Sequence, residues 1–235
     1  MRAFPRLNCT ASLIALALLA SPFTAAAQTN EEKRVTDAAA VLETLVRTPD
    51  QGIPQHILDR AEAIVVIPSL VKGGFIIGAQ HGRGIMSVRD RENNRWSAPG
   101  FIALTGGSIG WQIGVQAVDL VLLVMNRDGV KDLLDNEFKF GANASVAAGP
   151  VGRQGEASTD ASLNAQILAY SRAKGLFAGL SLEGASLRVD KDANKDFYGA
   201  TIATDEMVRG IAKTTPLGSQ WTATLARLVP ANSTR

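Results

Sequence analysis

Gly106-Gly107-Ser108-Ile109-Gly110 spells G-x-S-x-G, the pattern that raises a serine nucleophile on a sharp turn. That chemistry needs a strand–turn–helix setting and a histidine to take the serine proton. The two histidines, His56 and His81, both lie upstream, and strand-like sequence follows the serine. This excludes an α/β-hydrolase, while a histidine-first order on another fold keeps a Ser108 hydrolase as the least favoured reading. Asp190, Asp192, Asn194 and Asp196 alternate like the front half of a calcium loop. Lys195 stands where that loop needs glycine, and Thr201 where it needs the bidentate glutamate, so the segment reads as a solvated turn. Neither histidine has a partner at metal-ligand spacing, and no Gly-Lys-Ser/Thr phosphate loop occurs. The expectation is a non-enzyme with no catalytic residue, no cofactor and no metal.

Basic residues set among glycines carry more chemistry. Lys72 precedes Gly73-Gly74, Arg83 lies between Gly82 and Gly84, and Arg153 follows Gly149-Pro150-Val151-Gly152. Arg172 and Lys174 flank Ala173 just before Gly175. Glycine lets a ligand reach backbone N–H groups, and such concave donor sets favour anions. Arginine adds a planar fork that fits phosphate oxygens, and lysine a mobile point charge.

These residues need a frame. The run from Ile64 to Val124 places apolar β-formers between single and paired glycines, with hardly a helical period. Glycine at that density within strands marks bulges, tight bends or close backbone approach. Strands are expected at Ile64–Ile67, Gly74–Ala79, Gly84–Arg89, Arg95–Ser97, Phe101–Leu104, Ser108–Val115 and Leu120–Met125. Others are expected near Asn143–Ala148, Ile167–Ser171, Gly179–Gly184 and Ser186–Val189. Residues 30–47 make the clearest helix, with Val35, Ala38, Ala39, Leu42, Leu45 and Val46 on one face. Short helices are expected at Pro54–Ala61, from Asn126 to Leu134, and at Thr204–Arg209. Trp221, Leu225 and Leu228 are spaced to dock one more in the tail. The fold class is α+β: one domain dominated by a curved, mostly antiparallel, glycine-rich β-sheet, with an N-terminal amphipathic helix and a few short peripheral helices.

Residues 1–27 read as an export signal, with Arg2 and Arg6, an apolar run from Ala11 to Ala20, and Ala25-Ala26-Ala27 before Gln28. Residues 28–213 then form the domain, and 214–235 a polar tail. Cys9, the one cysteine, would leave with the signal, and with it any thiol or disulfide chemistry. The remaining chain balances 22 basic against 22 acidic residues, so attraction to an acidic partner must come from local patches. Bulk nucleic-acid binding is disfavoured. The expected location is periplasmic or secreted.

Five blocks together resemble the SYLF family, the Ysc84-type lipid- and actin-binding domain. They are IPSLVKGGFIIGAQHGRG (67–84), WSAPGFIALTGGSIGWQIGVQAVDLVLL (96–123), AAGPVGR (147–153), YSRAKGLFAGLSLEG (170–184) and DFYG (196–199). The resemblance runs from about Val35 to Gly210. It implies a non-enzymatic domain that binds phosphoinositide or other anionic lipid headgroups at a membrane surface, with actin binding in some eukaryotic members. On that implication Lys72, Arg83, Arg153, Arg172 and Lys174 form the headgroup patch, and apolar edges insert shallowly. The alternative is a protein-interaction module of the envelope or of a host cell, with an actin-like partner. The resemblance also makes helix 30–47 a lipid-contact candidate. Its mixed charges and lack of aromatics favour packing on its own sheet. Trp96 and Trp111 fit a lipid interface or a core corner equally.

Overall fold

The computed structural model of the protein describes residues 28–48, 52–75, 77–93, 95–109, 114–134, 138–152, 165–174, 176–177, 180–201, 206 and 215–230. Residues 1–27, Trp111, Arg153 and nearly all of the helix expected at Thr204–Arg209 lie outside those residues.

Helix α1, Asn30–Arg47, starts on a capping box. The Thr29 hydroxyl accepts from the Glu32 N–H while the Glu32 carboxylate accepts from the Thr29 N–H, which satisfies two orphan donors of the first turn. Val35, Ala38, Leu42 and Leu45 are buried, as the spacing predicts. Helix α2 spans Gln55–Arg60. The sheet follows: β1 Ala63–Phe75, β2 Ile77–Asp90, β3 Arg95–Trp96, β4 Gly100–Ile109 and β5 Gly114–Val124. Helix α3, Arg127–Leu134, leads to β6 Phe138–Lys139, β7 Val146–Ala148, β8 Ile167–Ala173, β9 Leu176–Phe177 and β10 Ala185–Val189. Helices α4, Lys191–Tyr198, and α5, Pro216–Leu228, complete the described chain.

Eight strands run in the order β6-β10-β4-β2-β1-β5-β8-β7, with β3 added to β2 and β9 to β8. Every pairing among them is antiparallel except β7 with β8. Side chains alternate between the two faces of a strand, and the apolar residues divide accordingly. The inner face gathers Val65, Ile67, Leu70, Met86, Leu104, Leu120, Leu122 and Phe138. Helix α3 packs against β5, β6 and β10, and a bridge joins Phe140 to Ala144 just before β7. The sheet is therefore curled, with its two ends drawn together over this core. The outer face carries Ile64, Val66, Ile85, Phe101, Val121 and Leu123, which α1, α2 and α5 cover.

Three strand expectations are corrected. Gly74–Ala79 is not one strand, because Phe75 pairs with Ile77 and the chain reverses between them. Apolar residues on both sides of that reversal hide it from a hydropathy reading. Ser108–Val115 likewise splits, its first residues ending β4 and its last beginning β5. Residues 180–184 are irregular, and Gly184 sits at φ 77°, a backbone region that suits glycine and stops a strand.

Candidate functional site

Strands β1, β2, β4 and β5 run well past the helices that cover their other half. Beyond residue 68 of β1 the outer face is bare: Ala79, His81, Arg83, Val71, Val115 and Ala117 are all exposed. Val71 is 45% exposed and Val115 81%, and Leu176 on β9 reaches 69% at the same end of the sheet. Exposed large apolar residues gathered at one rim point to a contact surface rather than to scattered surface noise.

A bulge in β1 marks the boundary. Its register slips between Val66 and Val71 against β2, and between Ile67 and Leu70 against β5. Ser69 takes φ 52°, and its N–H donates to the Asp119 carboxylate at 3.0 Å. Gly82 and Gly84 oppose this bulge, and a Cβ on Gly84 would sit 2.2 Å from the Val66 carbonyl oxygen. The Gly-Arg-Gly pattern thus has a packing cause: glycine admits the β1 bulge while Arg83 between them points the other way.

The outward row across the bulge is basic. Arg83 faces it from β2, Asp119 faces it from β5, and Arg172 pairs with Asp119 from β8. Arg83 also pairs with Ala103, which pairs with Arg188 of β10. At a strand spacing of about 4.8 Å, Arg188 and Arg83 stand roughly 10 Å apart, and Arg83 and Arg172 roughly 14 Å. Three guanidiniums therefore line one row with a single carboxylate among them. That carboxylate is occupied by the Ser69 N–H. Lys174 is exposed at the β8–β9 reversal, held at φ 46°. Val115 lies four residues from Asp119, about 13 Å nearer the tip at 3.3 Å per residue. The apolar rim leads and the basic row stands behind it.

Lys72 does not join that row. It pairs with Gln80, whose amide nitrogen would lie 3.2 Å from a Cβ on Gly106, beside Ala185 of the inner core. Lys72 thus faces inward, and burial pushes its ammonium below the usual lysine range. Gln80 is 2% exposed with neither amide atom hydrogen-bonded. The five sequence candidates therefore separate: Arg83 and Arg172 share the outer row, Lys174 tops it, Lys72 lines the concave side, and Arg153 lies outside the described residues. Arg188 completes the row and was missed, because its segment, Ser-Leu-Arg-Val-Asp, has no flanking glycine.

The remaining motifs are structural. Ser108 continues β4 in register with Gly78, without the turn and helix of a nucleophile elbow. The expected solvated turn at Asp190 is instead the start of α4. Asp190 caps the helix by accepting from the Ala193 N–H, and its other oxygen accepts from Arg34 at 3.2 Å. Asn194, 2% exposed, accepts from the Phe101 N–H and donates to its carbonyl. Two of the four alternating oxygens are thus committed to the fold. Among the described residues no group of three His, Cys, Asp or Glu is placed to hold a metal, and no helix is long and apolar enough to cross a membrane. The apolar face of α1 packs on the sheet and α5, and α1 buries Arg34 over the Phe101 ring at 5.2 Å. Trp96 is half-buried against the helix-covered core.

Comparison with known proteins adds an independent line. The family described as Ysc84: Las17-binding protein actin regulator matches residues 105–228. Protein YSC84 of Saccharomyces cerevisiae is 35% identical over 187 residues, which cover 76% of this chain and 40% of that protein. SH3 domain-containing YSC84-like protein 1 of Xenopus laevis is 37% identical over 152 residues, 64% of this chain and 45% of the relative. The Homo sapiens protein of that name is 34% identical over 164 residues, 69% and 47%. The chain spans less than half the length of these relatives.

Proposed function

The chain belongs to the Ysc84 (SYLF) family, and from that premise we propose a non-enzymatic domain that binds anionic or phosphorylated lipid headgroups peripherally. The observation that carries the reading is the bare end of the sheet: Val71, Val115 and Leu176 exposed at the rim, Arg83, Arg172 and Arg188 in one row behind them, and Lys174 at the adjoining reversal. In a membrane interface apolar groups sink about 5–10 Å below the headgroups while cations stay level with them. A rim of apolar residues ahead of a basic row has that order, apolar groups leading and cations behind. Arginine forks take phosphate oxygens, and the inward Lys72 supplies a charge on the concave side. Arg153 belongs to the proposed patch on its sequence setting alone. Phosphoinositides are the headgroup class the family suggests.

Vesicle flotation tests this. The purified protein should float with phosphatidylglycerol, cardiolipin or phosphoinositide vesicles at low salt and be released at high salt, since exposed charges are screened within about 8 Å at physiological ionic strength. It should stay behind with neutral phosphatidylcholine. Absence of flotation with every charged lipid would sink the proposal.

Export is part of the same reading, with the domain working in the periplasm or the surrounding medium. N-terminal sequencing of the mature protein should begin at Gln28. A second reading, an actin-like protein partner, draws on the family description as an actin regulator. Cosedimentation with actin filaments tests it, and recovery no higher than in the filament-free control removes it.

A further inference from the structure

Away from the bare end, β2, β3 and α5 border a half-open pocket of ≈ 310 Å³. Arg89, Arg95, Trp96, Thr222, Ala226 and Val229 line it. Arg89 is 3% exposed. Its Nη1 donates to the Asp59 carbonyl at 2.8 Å and its Nη2 to the Pro230 carbonyl at 3.0 Å, with the guanidinium 5.5 Å from the Trp96 ring centroid. Among the described residues no carboxylate lies within ion-pair distance of it. The two carboxylates near enough to act on it are otherwise engaged: Glu62 holds Arg91 and Arg127, and Asp59 accepts from Gln55. Burial, and after it the neighbouring Arg91 cation, depress the proton affinity of the Arg89 guanidinium, and the pull of Asp59 and Glu62 does not offset them.

Buried charges in proteins are paired or neutralised, and a guanidinium cannot neutralise itself by losing its proton. Carbonyl oxygens satisfy its donors but leave the charge in place. Exposed Arg95 puts a second cation on the same pocket. The Trp96 ring, the Ala223 and Ala226 methyls of α5 and Val229 make an apolar wall, and the Ser219 and Thr222 side chains of α5 add two hydroxyls. A cavity of this size sits at the small end of ligand pockets, which run from about 300 to 1,000 Å³.

We propose that this pocket binds a small amphiphilic carboxylate, its head at Arg89 and Arg95 and its apolar body between Trp96 and α5. Neither a bare anion nor an uncharged body satisfies both halves of the lining. The site is separate from the bare end and does not depend on lipid binding there. Bilayer-free protein therefore tests it independently.

Calorimetric titration with octanoate below its micelle concentration should give one site. Octan-1-ol keeps the body without the charge, and inorganic phosphate the charge without the body; each should bind at least tenfold more weakly. Ala226→Phe fills the pocket from an exposed helix position and should abolish binding while circular dichroism and melting stay unchanged. Arg95→Gln should weaken octanoate about tenfold, the loss of one charge-assisted hydrogen bond. No heat with octanoate overturns the proposal. Octanol binding as tightly as octanoate overturns its electrostatic half, phosphate binding as tightly overturns its apolar half, and unchanged affinity in Ala226→Phe overturns its location.

Discussion

The same strands lead two lives along their length. From Ala63 to Ile67 the outward side chains of β1 are buried under α1, α2 and α5, while beyond the bulge the outward Val71 is open to solvent. On β2 the outward sequence changes from Ile85 and Ser87 to Arg83, His81 and Ala79. The covered half uses its polar groups to hold elements together: Ser87 accepts from the Trp221 indole at 2.8 Å, and Asn194 clasps Phe101. In the bare half, Arg83 and Arg188 are exposed without a protein partner among the described residues. One half is built to be stable, and among the described residues no helix covers the other.

That contrast predicts two kinds of failure. The largest effect belongs to the covered half. Trp221→Ala removes a fully buried aromatic and leaves Ser87 without its donor, so it should cost about 3–5 kcal/mol in chemical denaturation. Vesicle binding by the fraction that remains folded should be normal. Gly84→Ala strikes the boundary, because its Cβ would meet the Val66 oxygen at 2.2 Å. We expect a loss of up to about 3 kcal/mol, by overpacking. A stability equal to that of the parent protein would mean the bulge yields easily and the boundary is soft.

Arg83→Glu should show the opposite profile. A basic residue near an anionic surface contributes about 1 kcal/mol, so reversing one costs about 2 kcal/mol in vesicle affinity, roughly thirtyfold. Melting should shift by no more than about 0.5 kcal/mol equivalent. Arg188→Glu should match it, and a normal affinity there would confine the contact to the β1–β8 side of the row. A variant losing stability and binding together would erase the distinction between the halves.

The smallest effects separate two tyrosines. Burial raises the phenol pKa of both Tyr198 and Tyr170 above the ordinary value near 10. The folded state therefore holds the protonated phenol more tightly than the unfolded chain. That contribution is complete below about pH 10 and is lost as pH rises toward the folded pKa. Each Tyr→Phe variant should flatten the alkaline fall in stability. At neutral pH they differ. Tyr198 donates to the Pro99 carbonyl at 2.6 Å, so Tyr198→Phe should cost about 1 kcal/mol. The Tyr170 hydroxyl is buried without a partner, so Tyr170→Phe should cost nothing or stabilise.

How much of this could be read from the chain depended on the range of the signal. Helix α1 was legible because Val35, Ala38, Leu42 and Leu45 repeat within four residues and Arg47 follows. The sheet was legible as texture, but its reversals were not. The reversal between the paired Phe75 and Ile77 lacks the Asn-Gly or Asp-Gly sequence that marks most tight hairpins, so it looked like a strand. Asp190 was read into a solvated turn because Lys191-Asp192-Ala193-Asn194-Lys195-Asp196 is almost wholly polar, with too little apolar periodicity to mark the helix it caps. In the outer row, Arg83 was visible through Gly82 and Gly84, which serve the bulge. The Arg89 pocket was invisible, since Arg89 and Ala226 stand 137 positions apart and meet only on folding. In sequence, Arg89 is one more charge in Val-Arg-Asp-Arg-Glu.

The β1 bulge also has a consequence in time. Both ladders of the central strand break at Pro68 and Ser69, so the hydrogen bonds from Ala63 to Ile67 and those from Leu70 to Phe75 form two separate zippers. Proteins open in cooperative units whose boundaries follow such breaks. Amide exchange should fall into two classes along one strand: slow in the first zipper, at the rate of global unfolding, and faster in the second. The tip can then fray and reseal against a soft, uneven bilayer surface while the rest of the strand keeps its register.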